Sequence, residues 1–318
     1  MIAIQVAAIL RCQHSIVGRR LSGEIFLQDF DYAAPISTNE AVQLLADPAH
    51  KAVVMAGGTD ILVLLRERRR RATLVVDVKK IAELNELAMT ADGGLFLGAA
   101  VSCSRIYREA AIMEKYAALV DATKIIGGWQ IQSRATVGGN LCNASPAADS
   151  IPPLAIYDAV AEIAGPKGRR QMPVAEFCSG VGKNVLARGD LLVAIIFPPT
   201  EARSGAAYQR FIPRNEMDIA VASAASFVEL DEQGIICKAR IVLGAVATTA
   251  VRAAKAEEAL LGQSPSDELF VKAGALAEQS ASPIDDMRGT IEYRKHLCGV
   301  LTRRTLAIAV ERAQAKNK

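Results

Sequence analysis

Two glycine pairs carry the chemistry most directly readable in this sequence. The first lies in Ala56-Gly57-Gly58-Thr59-Asp60. The second lies in Thr136-Val137-Gly138-Gly139-Asn140, at the head of a polar run that continues to Asp149-Ser150. A tight Gly-Gly turn presents backbone N–H groups with no Cβ in the way, and such groups wrap anions closely. Two of them on one chain predict a clamp that grips a diphosphate from both sides, and hence a bound dinucleotide. Asp60 repels phosphate, so the backbone is expected to do the binding, with the Asp60 side chain turned away or capping the helix that follows. The run from Thr136 to Ser150 is too rich in short hydroxyl, amide and carboxylate side chains to pack a core by itself. It suits a ligand with many hydroxyls, and Asp149 can accept hydrogen bonds from a ribose or ribityl chain. The plainer alternatives are a strand-to-helix packing turn for the first segment and a surface Ω-loop for the second.

The surrounding pattern supplies elements to position both segments. A strand over 51–56 enters the first pair, a helix over about 60–70 leaves it, and a second strand covers 73–78. This is a small βαβ unit with parallel strands. Asp92-Gly93-Gly94 turns into a strand over 95–100, and Ser102 or Ser104 can cap the next helix. Residues 127–150 lack periodicity and read as a long functional loop. Further strands are expected over 160–164 and 191–197. Beyond Pro198-Pro199 come three strand-like runs, 206–212, 219–230 and 237–246, the last two joined by a hairpin turn at 231–234. Helices near 251–261, 266–280 and 290–315 close the chain, which makes the C-terminal part α+β.

The bulk numbers exclude several classes. With 318 residues, 51% hydrophobic and 22% charged, the chain has the composition of a packed globular protein large enough for two domains. A net charge of +3 is too small to call for nucleic acid. No apolar run is long enough to span a membrane. Cysteines 12, 103, 142, 178, 237 and 298 are scattered without a close pair, so no metal or iron–sulfur site is expected on this chain. Reduced thiols in a cytoplasmic protein are the expectation. The apolar start lacks a basic flank and a cleavage site, and residues 1–24 read as an extension. There is no G-x-x-x-x-G-K-[ST] phosphate loop. Gly180-Val181-Gly182-Lys183 is an ordinary loop, and Arg66 to Arg71, five arginines around one glutamate, reads as a solvated helix end or a docking face. No nucleophile–base arrangement is legible.

Taken in order, these segments resemble the FAD-binding medium subunit of molybdenum hydroxylases, the group of carbon monoxide dehydrogenase and xanthine dehydrogenase flavoproteins. The resemblance runs from about residue 25 to the end. It rests on Phe30-Asp31-Tyr32-Ala33-Ala34-Pro35, Glu40-Ala41-Val42-Gln43-Leu44-Leu45, both glycine segments, Asp218-Ile219-Ala220, Leu243-Gly244-Ala245-Val246-Ala247 and the helix through Tyr293-Arg294 to Arg304. It implies an α+β fold: a vanillyl-alcohol-oxidase-type FAD-binding domain over 25–200, with subdomains of about 25–84 and 85–200. A smaller domain follows over 201–318, with a three-stranded antiparallel sheet and a helix bundle. It implies FAD, bound without a covalent link, with Ala56, Gly57, Gly58, Thr59, Asp60, Thr136, Val137, Gly138, Gly139 and Asn140 on the diphosphate. Ile126, Asp149, Leu192 and Arg210 would also touch the flavin nucleotide. No catalytic acid or base and no metal ligand is implied on this chain. The molybdenum cofactor would sit on a large partner and iron–sulfur clusters on a small one, in a dimer of heterotrimers with this chain as the electron-transfer subunit. Gln130-Ile131-Gln132-Ser133 and Ile219 depart from the commonest family residues, the latter standing where carbon monoxide dehydrogenases tend to have Tyr. The rival expectations are a stand-alone flavin oxidase or dehydrogenase on the same fold, and a flavin-free docking subunit.

Overall fold

Three sheets follow from three patterns of apolar residues in the computed structural model, which describes residues 29–315; the expected 1–24 extension lies outside them. The first sheet is parallel, with β1 (Asp31–Ala33), β2 (Ala52–Met55) and β3 (Leu74–Asp77) in the order β1-β3-β2. Val53 pairs with Val75 and Val54 with Val76, as the βαβ reading requires. Val75 and Val76 are both buried, on opposite faces of this central strand. The crossover helix is shorter than its sequence suggests. It spans Ile61–Arg66 rather than 60–70, because Arg68 takes a left-handed φ of 58° and the N–H groups of Arg69 and Arg70 fold back onto the Leu64 carbonyl.

The second sheet is antiparallel. It contains β4 (Leu87–Met89), β5 (Leu95–Gly98), β6 (Val160–Gly165) and β7 (Gly168–Pro173). A short ribbon, β8 (Cys178–Gly180) with β9 (Lys183–Asn184), follows, and then the central strand β10 (Leu191–Phe197); the sheet order is β4-β5-β10-β6-β7. Nearly every residue of β10 is buried, so its unbroken apolar run is that of a strand covered on both faces. The ribbon was not expected, and Gly180 to Lys183, read as a loop, is its turn.

The third sheet is antiparallel and four-stranded: β11 (Ser204–Phe211), β12 (Ala222–Leu230), β13 (Ile236–Gly244) and the two-residue β14 (Val251–Arg252). Three long strands were expected. The fourth occupies the start of what the pattern presented as a helix, which begins only at Ala254. Helices Ala254–Leu260, Asp267–Ser280 and Ile291–Ala315 cover one face. The other face places Ala206, Tyr208, Ala225, Phe227 and Val242 in one core with the second sheet. Tyr116, Tyr157, Phe197 and Phe227 meet edge-on in that core at ring separations of 5.2–6.0 Å. Each such contact is worth about 0.5–1.5 kcal/mol beyond area burial. A chain with only 5% aromatics thus concentrates them where the two sheets join.

Candidate cofactor cleft

Strand β2 runs into the first glycine pair. Gly58 has φ +82°, a conformation that excludes most side chains. Gly57 is held for a different reason: a Cβ there would stand 2.2 Å from the Arg134 carbonyl oxygen. The first segment is therefore pressed against the stretch leading into the second, and Arg134 Nε also donates to the Gly57 carbonyl.

The second pair is not a turn in a loop. Thr136 is the N-cap of a helix, Val137–Asn143, with its hydroxyl accepting from Gly139 N at 2.9 Å. Two glycines weaken the helical pattern enough to hide it from a periodicity argument. Gly138 packs on the Ala99 backbone, where a Cβ would lie 2.4 Å from the carbonyl oxygen. A Cβ on Gly139 would meet only the Thr136 hydroxyl, at 2.9 Å. The run then folds back, with Ser150 donating from Oγ (2.6 Å) and N (3.2 Å) to the Asn140 side-chain oxygen. The region from Thr136 to Ser150 is consequently two helix starts and a tight connection, not an Ω-loop.

Ala56 to Asp60, Ile126, Thr136, Gly138, Gly139, Asn140 and Leu192 line one cleft of about 1170 Å³. That exceeds the ~300–1,000 Å³ of common small-ligand sites and suits an extended dinucleotide. Among the described residues, no acceptor receives the N–H groups of Gly58, Thr59, Asp60 and Gly138. Anion-binding backbone donors are thus present on both segments, and the open side of Gly139 is a cradle that a Cβ would fill. These features fit FAD. Asp60 precedes the helix but makes no side-chain cap, and partial burial raises its pKa.

Val137, Asp149 and Arg210 do not line the cleft. Val137 is in the core. Asp149 is buried, accepting from Tyr208 Oη at 2.7 Å and from Arg210 Nη1, while Arg210 Nη2 donates to the Ile125 carbonyl at 2.8 Å. Burial raises the Asp149 carboxyl to about 6 against the opposing pull of Arg210 and Tyr208. The pair that the resemblance places on the flavin nucleotide spends these polar atoms on its own partners, among them the carbonyl of Ile125, the residue before Ile126.

Sequence reasoning missed the basic edge of the cleft, formed by His50, Lys51, Arg69, Arg70 and Arg188. The arginine run was visible, but its position depended on the early helix end at Arg66. Nothing marked Arg188, which clamps the 47–50 loop through the carbonyls of Asp47 (2.5 Å) and His50 (3.0 Å). His50, which stands near neither glycine pair in sequence, lines the cleft, and so does Cys142 of the second glycine segment. Burial pushes the Cys142 thiol up to about 12, which disfavours its thiolate. Gly182 and Asn184 of the unexpected ribbon complete one wall.

The family model "FAD binding domain in molybdopterin dehydrogenase" matches residues 28–200, more than half of the chain, and "CO dehydrogenase flavoprotein C-terminal domain" matches residues 206–309. The chain belongs to this flavoprotein family. It is similar to the xanthine dehydrogenase FAD-binding subunit of Escherichia coli O157:H7, 33% identical with 90% of this chain and 99% of the relative covered. It is also similar to the carbon monoxide dehydrogenase medium chain of Afipia carboxidovorans, at 32% identity over 91% and 98%. The solved carbon monoxide dehydrogenase of Hydrogenophaga pseudoflava superposes with a TM-score of 0.85 at 29% identity, covering 90% and 99%. The chain is thus an oxidoreductase subunit of the molybdenum hydroxylase family, with an FAD-binding domain and an α+β fold. Among the described residues no group of His, Cys, Asp and Glu is placed to hold a metal ion, and no helix is long and apolar enough to cross a membrane.

Proposed function

We propose that this flavoprotein subunit transfers electrons within a molybdenum hydroxylase. It receives them from iron–sulfur clusters on a small partner subunit and passes them to an external acceptor, while the organic substrate reacts on a large molybdenum subunit. The complex is a cytoplasmic dimer of heterotrimers, and the chain divides at about residue 200 into an FAD-binding part and a C-terminal part. When bound, FAD supplies the redox chemistry. The chain's own residues bind and orient it. Backbone donors of the 56–60 and 136–140 segments hold the diphosphate, Ile126 and Leu192 wall the cleft, and Lys51, Arg69 and Arg188 bring positive potential to its edge. Asp149 and Arg210 support the Ile126 wall from behind. A Cys142 thiol held protonated by burial favours non-covalent attachment.

The observation that carries this reading is the single cleft lined by both glycine pairs, with unpaired backbone donors on each. Purification from the native host tests it. The expected result is a yellow complex containing a larger molybdenum subunit and a smaller iron–sulfur subunit, whose flavin is wholly released by acid precipitation. A chain that elutes alone and still oxidises an organic substrate at about 1–1000 per second would be a stand-alone flavoenzyme instead. A colourless chain would be a docking subunit, and flavin retained in the acid pellet would show a covalent tether.

A further inference from the structure

Tyr208 is 3% exposed and sits on β11 two residues from Arg210, so both side chains leave the same face of the strand. Its hydroxyl donates to Asp149 Oδ1 at 2.7 Å. Its backbone N–H donates to Asp121 Oδ2 at 3.1 Å. A continuous chain of hydrogen bonds therefore runs from Tyr208 through Asp149 to Arg210, and ends on the carbonyl of Ile125. The next residue, Ile126, lines the cleft.

We propose that Tyr208 is a positioning residue for the cofactor: through Asp149 and Arg210 it fixes the Ile125 carbonyl, and with it the Ile126 wall. The proposal rests on the FAD reading above. A buried ion pair costs desolvation that apolar neighbours would not, and it holds a defined geometry only when its remaining lone pairs are satisfied. Arg210 occupies one carboxylate oxygen of Asp149, and Tyr208 supplies the side-chain donor to the other. Removing that donor leaves a buried acceptor unpaired and frees the carboxylate to turn. Arg210 then loses the anchor that directs its second nitrogen at Ile125. The chain also couples the third sheet to the cofactor wall, so strand β11 contributes to a cleft that it does not itself line.

The test uses the full chain, stripped of FAD and titrated with FAD, with flavin fluorescence and the visible spectrum of the bound flavin as readouts. Tyr208→Phe removes only the hydroxyl. The expected result is a Kd raised about tenfold and a displaced flavin absorption band. Tyr116→Phe is the control, because Tyr116 is a buried tyrosine that also loses one hydrogen bond, to the Pro198 carbonyl at 2.8 Å, and does not line the cleft. It should lower the melting temperature and leave Kd and spectrum unmoved. A Tyr208→Phe protein with Kd within twofold of wild type and an unchanged spectrum overturns the proposal alone. If Tyr208→Phe does not fold, Asp149→Asn decides. It keeps the shape and removes the charge, and its Kd and spectrum must move in the same sense. A wild-type chain that binds no FAD overturns the underlying reading, and the proposal with it.

Discussion

Gly138 and Gly139 are neighbours in one helical turn, yet their replacement by alanine should separate stability from cofactor binding. In Gly138→Ala the new Cβ stands 2.4 Å from the Ala99 carbonyl oxygen and 2.7 Å from its Cα. Both are backbone atoms, so relief requires moving the Val137–Asn143 helix away from the segment after β5. Overpacking costs about 1–3 kcal/mol, and a backbone collision belongs at the upper end. At about 2–4 °C per kcal/mol, the melting temperature should fall by roughly 6–12 °C. In Gly139→Ala the Cβ meets only the Thr136 hydroxyl, at 2.9 Å, which can rotate away. That sacrifices an N-cap worth about 1 kcal/mol, while alanine is favoured over glycine in a helix by about 1 kcal/mol. The two effects offset, and the apo protein should melt within about 2 °C of wild type on this arithmetic. The methyl group does, however, enter the cleft beside the proposed diphosphate position. FAD affinity should fall at least tenfold, which corresponds to about 1.4 kcal/mol. Differential scanning fluorimetry on the apo chains and flavin absorbance per chain on the purified ones measure both quantities. A Gly139→Ala protein with full flavin content refutes the clamp, and equal melting of the two variants refutes the packing argument.

Asp149 predicts a pH dependence. Its carboxyl is raised from 3.8 to about 6, so the folded state binds the proton more tightly than the unfolded chain. Its contribution is favourable below pH ~4 and is lost as pH rises through ~6. Denaturant unfolding of the apo chain between pH 4 and 7 should show this loss, and Asp149→Asn should remove it. Arg312→Met breaks a forked pair with Asp121 (2.7 and 3.0 Å) and a bond to the Ala206 carbonyl (2.7 Å). With the guanidinium about one-third exposed, the cost should be about 1–2 kcal/mol, read by the same unfolding assay with FAD affinity unchanged. Lys167→Ala, at the tip of the β6–β7 hairpin and absent from the cleft lining, should alter neither stability nor flavin content.

The fold was legible wherever one element imposed one period. The parallel β2–β3 pair, the buried β10 run and the long closing helix all follow from apolar spacing. Errors fell where short elements are decided by backbone geometry. The Ile61–Arg66 helix ends early on a left-handed Arg68, and the Val137–Asn143 helix hides behind its glycines. The β8–β9 ribbon and β14 are too short to show alternation. The two glycine segments singled out in the sequence meet in one cleft. His50 and Arg188 reach the cleft only through tertiary placement, whereas Asp149 and Arg210 pair with each other and are not among the residues that line it.

The glycines themselves show why a motif and its cause must be separated. Of the two pairs, Gly57 and Gly138 are required by backbone packing, and Gly58 by its positive φ. All three constraints would hold on a chain that bound nothing. Only at Gly139 does the protein leave the Cβ position nearly free, with one rotatable hydroxyl nearby. The inference of a cofactor therefore rests less on the four glycines than on what their packing produces. Two segments are locked against each other, their unpaired N–H groups belong to one cleft, and the cleft is larger than a small substrate needs. The packing glycines build the clamp, and Gly139 is where its grip can be tested without dismantling it.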